Sequence, residues 1–288
     1  MVVFTQKEAL IRALHLSSPE TGEAEKKSKI GFVPTMGALH LGHISLIERA
    51  ILENQIVVVS IFVNPTQFNN LMDLQKYPRT LSQDLSILEN LKTKLFVYLP
   101  EISDLYGDEI VAKNYNFGEL ENEMEGKHRQ GHFDGVGTVL NRFFRIIKPN
   151  KAYFGEKDFQ QLLIVKKLVA IEGLPIEIVG CPILREKSGL AMSSRNERLS
   201  MEQKREAVLI YRTLTEVKEK FHLLSIAQLN ELVAERFLQN PEIDLEYFEI
   251  VEEQSLKNAK CKNKNTRYRA FIAVFIDDVR LIDNMPLN

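Results

Sequence analysis

Five short runs, IGFVPT from Ile30, IVVVSIFV from Ile56, LFVYLP from Leu95, KAYFG from Lys151 and IEIVGCPIL from Ile176, are apolar at consecutive rather than alternate positions. A strand of that kind needs cover on both faces, which a central parallel strand obtains. Between the runs lie segments of helical period: ISLIERAILEN from Ile44, TLSQDLSILENL from Thr80, GVGTVLNRFFRII from Gly135 and FQQLLIVKKLVAIEG from Phe159. Strand and helix in alternation predict an α/β chain with a doubly wound parallel sheet and right-handed crossovers. Thr80 and Gln83 have capping-box spacing, which predicts a helix start there. The N-terminal MVVFTQKEALIRAL places Lys7 and Arg12 in a helical pattern and has no basic start followed by an apolar run, so no signal peptide is expected.

After about Arg185 the rhythm changes. Ser200 with Gln203 and Ser225 with Gln228 each predict a helix start, and IDLEYFEIV, RAFIAVFI and VRLIDNM then read as strands of a small antiparallel sheet. The expected division is residues 1–183 for the doubly wound domain and 184–288 for a smaller C-terminal α+β domain. A chain of 288 residues is long enough for two such domains. SSPETGEAEKKSK, from Ser17 to Lys29, is expected as a solvated loop.

Charge narrows the function. Lys and Arg number 37 against 39 Asp and Glu, so no global field is available to hold nucleic acid or an anionic membrane. A small anion would need local groups. Two cysteines, Cys181 and Cys261, have neither metal-like spacing nor a disulfide framework, as in a reducing cytoplasm. No apolar run is long enough to span a bilayer.

Ligands of open α/β sheets bind beyond the carboxyl ends of the strands, and PTMGALHLGH, from Pro34 to His43, falls there. Gly37 and Gly42 permit a tight turn and close approach, and a helix beginning near His43 offers N–H groups to an anion. A dipole contact is worth only about 0.3–1 kcal/mol, so side chains must supply the rest. His40 and His43, three apart, can face one phosphate and donate a hydrogen bond or a proton near neutral pH. Zinc ligation has no third ligand nearby; a plain helix-start role stays open.

GEKDFQQ, from Gly155, joins a strand to a helix. Lys157 can reach phosphate oxygens there and Asp158 can accept a bond from ribose or orient the lysine; a structural ion pair is the alternative. The amides of Gln160 and Gln161 can read a hydroxyl or carboxylate. GLAMSSRN, from Gly189, sets Ser193 and Ser194 beside Arg195, a loop able to neutralise departing pyrophosphate or else a polar linker. VNPTQFNN places Gln67 at the same sheet edge. EGKHRQGHFDGV, from Glu125, adds His128 and His132, so four of the six histidines sit in two glycine-containing stretches; this one reads as a mobile lid or rim, with a solvated loop as the alternative. Neither a Walker A sequence nor GxGxxG is present.

PTMGALHLGH, VSIFVNPTQF, YPRT, EGKHRQGHFDGV, YFGEKDFQQ and REKSGLAMSSRN together resemble, in order and spacing, the pantoate–β-alanine ligases, over nearly the whole chain. HLGH by itself resembles only the wider HxGH nucleotidyltransferase superfamily. The resemblance implies a Rossmann-like ATP- and pantoate-binding domain, a C-terminal lid domain, a cytoplasmic homodimer, and ATP with Mg²⁺. It implies condensation of pantoate with β-alanine through pantoyl adenylate, releasing pyrophosphate and AMP. Met36, Gly37, Ala38, Leu39, His40, Leu41, Gly42 and His43 then match the ATP turn. Gly155, Glu156, Lys157, Asp158, Leu184, Met192, Ser193, Ser194 and Arg195 match the other ATP positions. His40, His43, Lys157 and Arg195 are the catalytic candidates. Gln67 and Gln161 match the pantoate amides, Gln67 also near the β-alanine path. Gln130 replaces the proline usual in RPGHF, and Gln83 stands before Asp84 where many relatives carry an acid, so Asp84 alone remains as a candidate neighbour of Mg²⁺.

Overall fold

The computed structural model describes residues 1–17, 28–91 and 93–288, so most of the expected Ser17-to-Lys29 loop lies outside the described residues. In chain order the elements begin with β1 (Val2–Phe4), α1 (Lys7–Leu16), β2 (Ile30–Thr35), α2 (Leu41–Glu53), β3 (Ile56–Ile61), α3 (Leu71–Lys76), α4 (Leu81–Glu89), β4 (Leu95–Tyr98) and α5 (Ile102–Tyr106). They continue with α6 (Met124–His128), α7 (His132–Ile147), β5 (Lys151–Gly155), α8 (Phe159–Ile171) and β6 (Glu177–Cys181). The last are α9 (Met201–Lys220), α10 (Ile226–Leu238), β7 (Asp244–Glu252), β8 (Tyr268–Ile276) and β9 (Val279–Pro286).

Two compact units divide the chain. One comprises Met1–Phe117, Arg129–Glu156 and Gln161–Pro182, the other Gly118–His128, Lys157–Gln160 and Ile183–Asn288. A linear division at 183/184 therefore gives the first unit two short segments that pack with the second.

The first unit holds a six-stranded sheet in the order β1-β4-β3-β2-β5-β6, with every neighbouring pair parallel. Val33, Ile47, Val57, Val59, Val97 and Tyr153 form part of its buried core, since β2, β3 and β4 have helices to cover both faces. Two expectations are corrected. Val2–Phe4, read with the helical N-terminus, is a sixth strand beside β4; three residues are too few to show a period. The run from Ile176 is parallel but lies at the sheet edge, and its burial alternates accordingly.

From β2 the chain winds outward through β3 and β4, then returns to the other side of β2 as β5 and β6, so the winding reverses between β2 and β5. There the strands open: their ladder covers only Gly31 with Lys151 and Phe32 with Ala152, and Pro34 has no N–H to extend it.

In the second unit β7, β8 and β9 form an antiparallel sheet. Ile210, Leu214, Leu229, Val233, Ile250, Ile272 and Val274 share one core there, burying the apolar faces of α9 and α10. The capping boxes at Ser200 and Ser225 form as expected. The one expected at Thr80 does not: its side chain makes no cap and its hydroxyl instead donates to Asp84 Oδ1 at 3.2 Å. No helix among the described residues is long and apolar enough to cross a membrane.

Candidate functional site

The PTMGALHLGH segment leaves β2 at the point where the winding reverses, and its backbone there is strained. Gly37 (φ +83°) and Ala38 (φ +48°) lie in the left-handed region in succession, and for alanine that conformation costs about 1–2 kcal/mol. Asp84 offsets the cost. Its Oδ2 accepts from the N–H of Ala38 at 3.0 Å and its Oδ1 from the N–H of Leu39 at 2.8 Å, and its side chain is buried, 1% exposed. A Cβ at residue 37 would sit 3.0 Å from Asp84 Oδ2 and 3.1 Å from Ile61 Cγ2, so glycine is required by both torsion and space.

Helix α2 starts two residues earlier than the expected start near His43, with His40 as its cap. His40 Nδ1 accepts from the N–H of Gly42 at 3.1 Å, and His43 Nδ1 accepts from the N–H of His40 at 3.3 Å. A backbone N–H only donates, so in the neutral rings Nδ1 is the acceptor and the hydrogen resides on Nε2. The turn thus fixes both imidazoles as Nε2–H donors, their centroids 4.0 Å apart. The helix-start role, one of the two alternatives in the sequence, uses the Nδ1 edge of each ring.

Gln67 is brought to this turn: its Nε2 donates to the Met36 sulfur at 2.9 Å and its Oε1 accepts from Asn64 Nδ2 at 3.1 Å. Asn64, 1% exposed, also donates to the Gly135 carbonyl and accepts from the Tyr106 hydroxyl at 2.6 Å. Burial pushes the Tyr106 phenol up, so it stays a donor. Helix α7 approaches so closely that a Cβ on Gly135 would lie 2.2 Å from the Thr66 carbonyl. His132, at the start of α7, faces the Gln67 carbonyl through Nδ1 at 2.8 Å and Arg129 Nη1 through Nε2 at 3.2 Å. The carbonyl only accepts and the guanidinium only donates, so His132 is neutral with its hydrogen on Nδ1. It supports Gln67; His128 belongs to the other unit and stacks on Tyr247. EGKHRQGHFDGV is therefore divided between units.

The remaining candidates also divide. Gly155, Glu156 and Gln161 belong to the first unit, Lys157, Asp158, Leu184, Met192, Ser193, Ser194 and Arg195 to the second. Lys157 Nζ lies 3.6 Å from Asp158 Oδ1, a loose ion pair. Gln160 is no substrate reader: buried, it accepts from the N–H of Glu125 and donates to the carbonyls of Leu120 and Glu123, using its amide to hold the 118–128 segment. Residues 184–192 double back, with the N–H of Met192 on the Leu184 carbonyl at 3.1 Å and Gly189 (φ +94°) against the Tyr211 ring. Ser193 Oγ then accepts from the N–H of Arg195 at 3.2 Å, capping the turn Ser194–Arg198. Its hydroxyl hydrogen is left to donate.

Asp84 does not suit Mg²⁺. Both carboxylate oxygens are turned onto donors of the chain, and among the described residues no three His, Cys, Asp or Glu side chains cluster as a metal site. Sequence reading left Asp84 beside the metal through the resemblance alone, since the turn residues it holds, Ala38 and Leu39, lie 46 and 45 positions away in the chain. It missed His132 as a support, and it gave no sign that Asp283 and Asn284, an acid and an amide inside the strand VRLIDNM, are buried. Burial pushes the Asp283 carboxyl up while Arg185 opposes that shift.

Residues 4–286 match the family described as Pantoate-beta-alanine ligase. The chain is 50% identical over 288 residues to the pantothenate synthetase of Christiangramia forsetii, covering 100% of each. It is 52% identical over 263 residues to that of Flavobacterium psychrophilum, covering 91% of this chain and 93% of the other. The crystal structure of pantothenate synthetase from Thermus thermophilus is similar with a TM-score of 0.88 at 37% identity, covering 100% and 99% of the two chains. The pantoate-beta-alanine ligase of Francisella tularensis, complexed with beta-gamma ATP and beta-alanine, is similar with a TM-score of 0.81 at 38% identity, covering 100% and 98%.

Proposed function

The chain belongs to the pantoate-β-alanine ligase family, and from that premise we propose how its residues join pantoate to β-alanine with consumption of ATP. One oxygen of the pantoate carboxylate attacks the α-phosphorus, the bond to the β-phosphate breaks, and pyrophosphate leaves pantoyl adenylate behind. The free amine of β-alanine then attacks the acyl carbon. The acyl C–O bond breaks, AMP departs with that oxygen, and the amine proton passes to solvent.

Neither step calls for a covalent nucleophile from the protein; both call for positioning and charge stabilisation. The turn from Met36 to His43 cradles the nucleotide phosphates, and His40 and His43 donate from Nε2 to oxygens on which charge develops. The same reading gives Gly155, Glu156, Lys157, Asp158, Leu184, Met192, Ser193, Ser194 and Arg195 to ATP, with Lys157 and Arg195 countering the departing pyrophosphate. Gln67 and Gln161 bind pantoate, Gln67 beside the path of β-alanine. Mg²⁺ enters this reading with the triphosphate, whose oxygens and water are its usual ligands. The enzyme is taken as a cytoplasmic homodimer, for which light scattering should give twice the chain mass.

The observation that carries this reading is the pair of histidines whose tautomers are fixed by their own backbone at the point of winding reversal, where open α/β sheets bind ligands. Incubation with ATP and pantoate, with and without β-alanine, tests it. The expected products are AMP and pantothenate in equal amounts, dependent on both acids; ADP, or turnover indifferent to pantoate, contradicts it.

A further inference from the structure

Adjacent residues of β9 hold two segments of the second unit that the preceding reading assigns to the nucleotide. Asp283, 3% exposed, receives the Arg185 guanidinium in a fork, Nη1 on Oδ2 at 2.6 Å and Nη2 on Oδ1 at 3.0 Å. Arg185 also donates to the Gly189 carbonyl at 3.0 Å and lies over the Tyr211 ring, 4.6 Å from its centroid. It is thereby held on three sides, and it stands at the root of the doubled-back segment that presents Met192, Ser193, Ser194 and Arg195.

Asn284, 1% exposed, does the same for the other segment. Its Nδ2 donates to the Lys157 carbonyl at 2.8 Å while its Oδ1 accepts from Arg269 Nη1 at 2.6 Å. A guanidinium cannot accept and a carbonyl cannot donate, so the orientation of the amide is unambiguous. Arg269 in turn lies over the Phe159 ring, 3.8 Å from its centroid, which holds the chain two residues beyond Lys157. The N–H of Asn284 closes on Asp283 Oδ1 at 2.7 Å, linking the two clasps.

We propose that Asp283 and Asn284 are positioning residues for ATP: through Arg185 and the Lys157 carbonyl, one strand sets the 184–195 segment and Lys157 together. The inference rests on the nucleotide role proposed for those segments. Neither residue touches substrate; their effect is transmitted by what they hold. Stabilising the sheet alone does not require a buried acid committed to an arginine fork, because an apolar pair of similar volume often does as well. What the fork adds is a fixed geometry for the segment it holds.

Asn284→Asp tests it with little change of shape. The variant keeps an oxygen for Arg269 but opposes the Lys157 carbonyl with another acceptor. The KM for ATP is expected to rise about tenfold, the order of one lost buried hydrogen bond, with the KM for β-alanine unchanged. In a Lys157→Ala background the same substitution should add little to the loss of ATP affinity read by calorimetry, since it acts through Lys157. Arg185→Lys, which keeps the charge on Asp283 and loses the fork, should raise the KM for ATP independently, and it decides the matter if Asn284→Asp does not fold. An unchanged KM for ATP, a loss of kcat with every KM intact, or a full effect persisting without Lys157 would overturn the proposal. Failure of the ligase reading is distinguishable, because the unmodified enzyme would then form no pantoate-dependent AMP.

Discussion

A carboxylate that accepts from two successive backbone N–H groups in a buried setting fixes the chain beneath a turn, and Asp84 does so for Ala38 and Leu39. Asp84→Asn offers an amide NH₂ where one acceptor stood, so one turn N–H loses its partner at about 1–3 kcal/mol. Thermal unfolding should show a lowered Tm, and activity should fall through the loosened turn while the apparent affinity for Mg²⁺ stays the same. Weakened Mg²⁺ activation with unchanged stability would restore Asp84 as a metal neighbour. If His43 donates to the reacting phosphate as proposed, His43→Ala should lower kcat roughly 10²- to 10³-fold; full activity in a folded variant would contradict the role. At this scale residue type was legible and partner was not. The spacing of His40 and His43 pointed to a phosphate, yet nothing in it distinguishes Nδ1 from Nε2, because that depends on which backbone N–H each ring meets. Gln160 and Gln161 are adjacent and alike in sequence, and only burial separates the structural amide from the candidate reader.

Helix α2 is anchored at both ends. At its start the two histidines cap it; at its end Glu53 accepts from Lys151 Nζ at 2.9 Å, Arg49 Nε at 3.0 Å and the Tyr153 hydroxyl at 3.0 Å. Lys151, then Arg49, hold the Glu53 carboxyl down to about 2 from an ordinary 4.5, with burial opposing them. Because the unfolded chain takes up this proton first, the stabilisation is complete above about 4.5 and is lost as pH falls towards 2. Glu53→Gln should therefore flatten the decline of the urea midpoint across that window, lowering stability near neutral pH and leaving the acid end little changed. An identical slope in both proteins would refute it. Elements with strong local signals were legible: the apolar runs became strands, and Ser200 and Ser225 became caps. At Thr80 the helix starts as expected but without the box, because the hydroxyl turns to Asp84 one turn away. Val2–Phe4 failed because its pairing with β4 is non-local.

On the scale of the whole molecule, the parallel order of the sheet followed from composition along the chain, but the position of the winding reversal did not, since that is set by which strand β5 joins. Nor could the discontinuous units be read: 118–128 and 157–160 pack with the second unit through contacts such as Arg280 with Glu125 and Arg269 over Phe159, made by residues far apart in sequence. On the reading proposed above, these segments serve an adenylation, and pantoate labelled with ¹⁸O in its carboxylate tests this. If the carboxylate attacks the α-phosphorus, one labelled oxygen leaves in the phosphate of AMP and the other stays in the amide carbonyl of pantothenate. Pantothenate formed alongside AMP that carries no label would contradict the account.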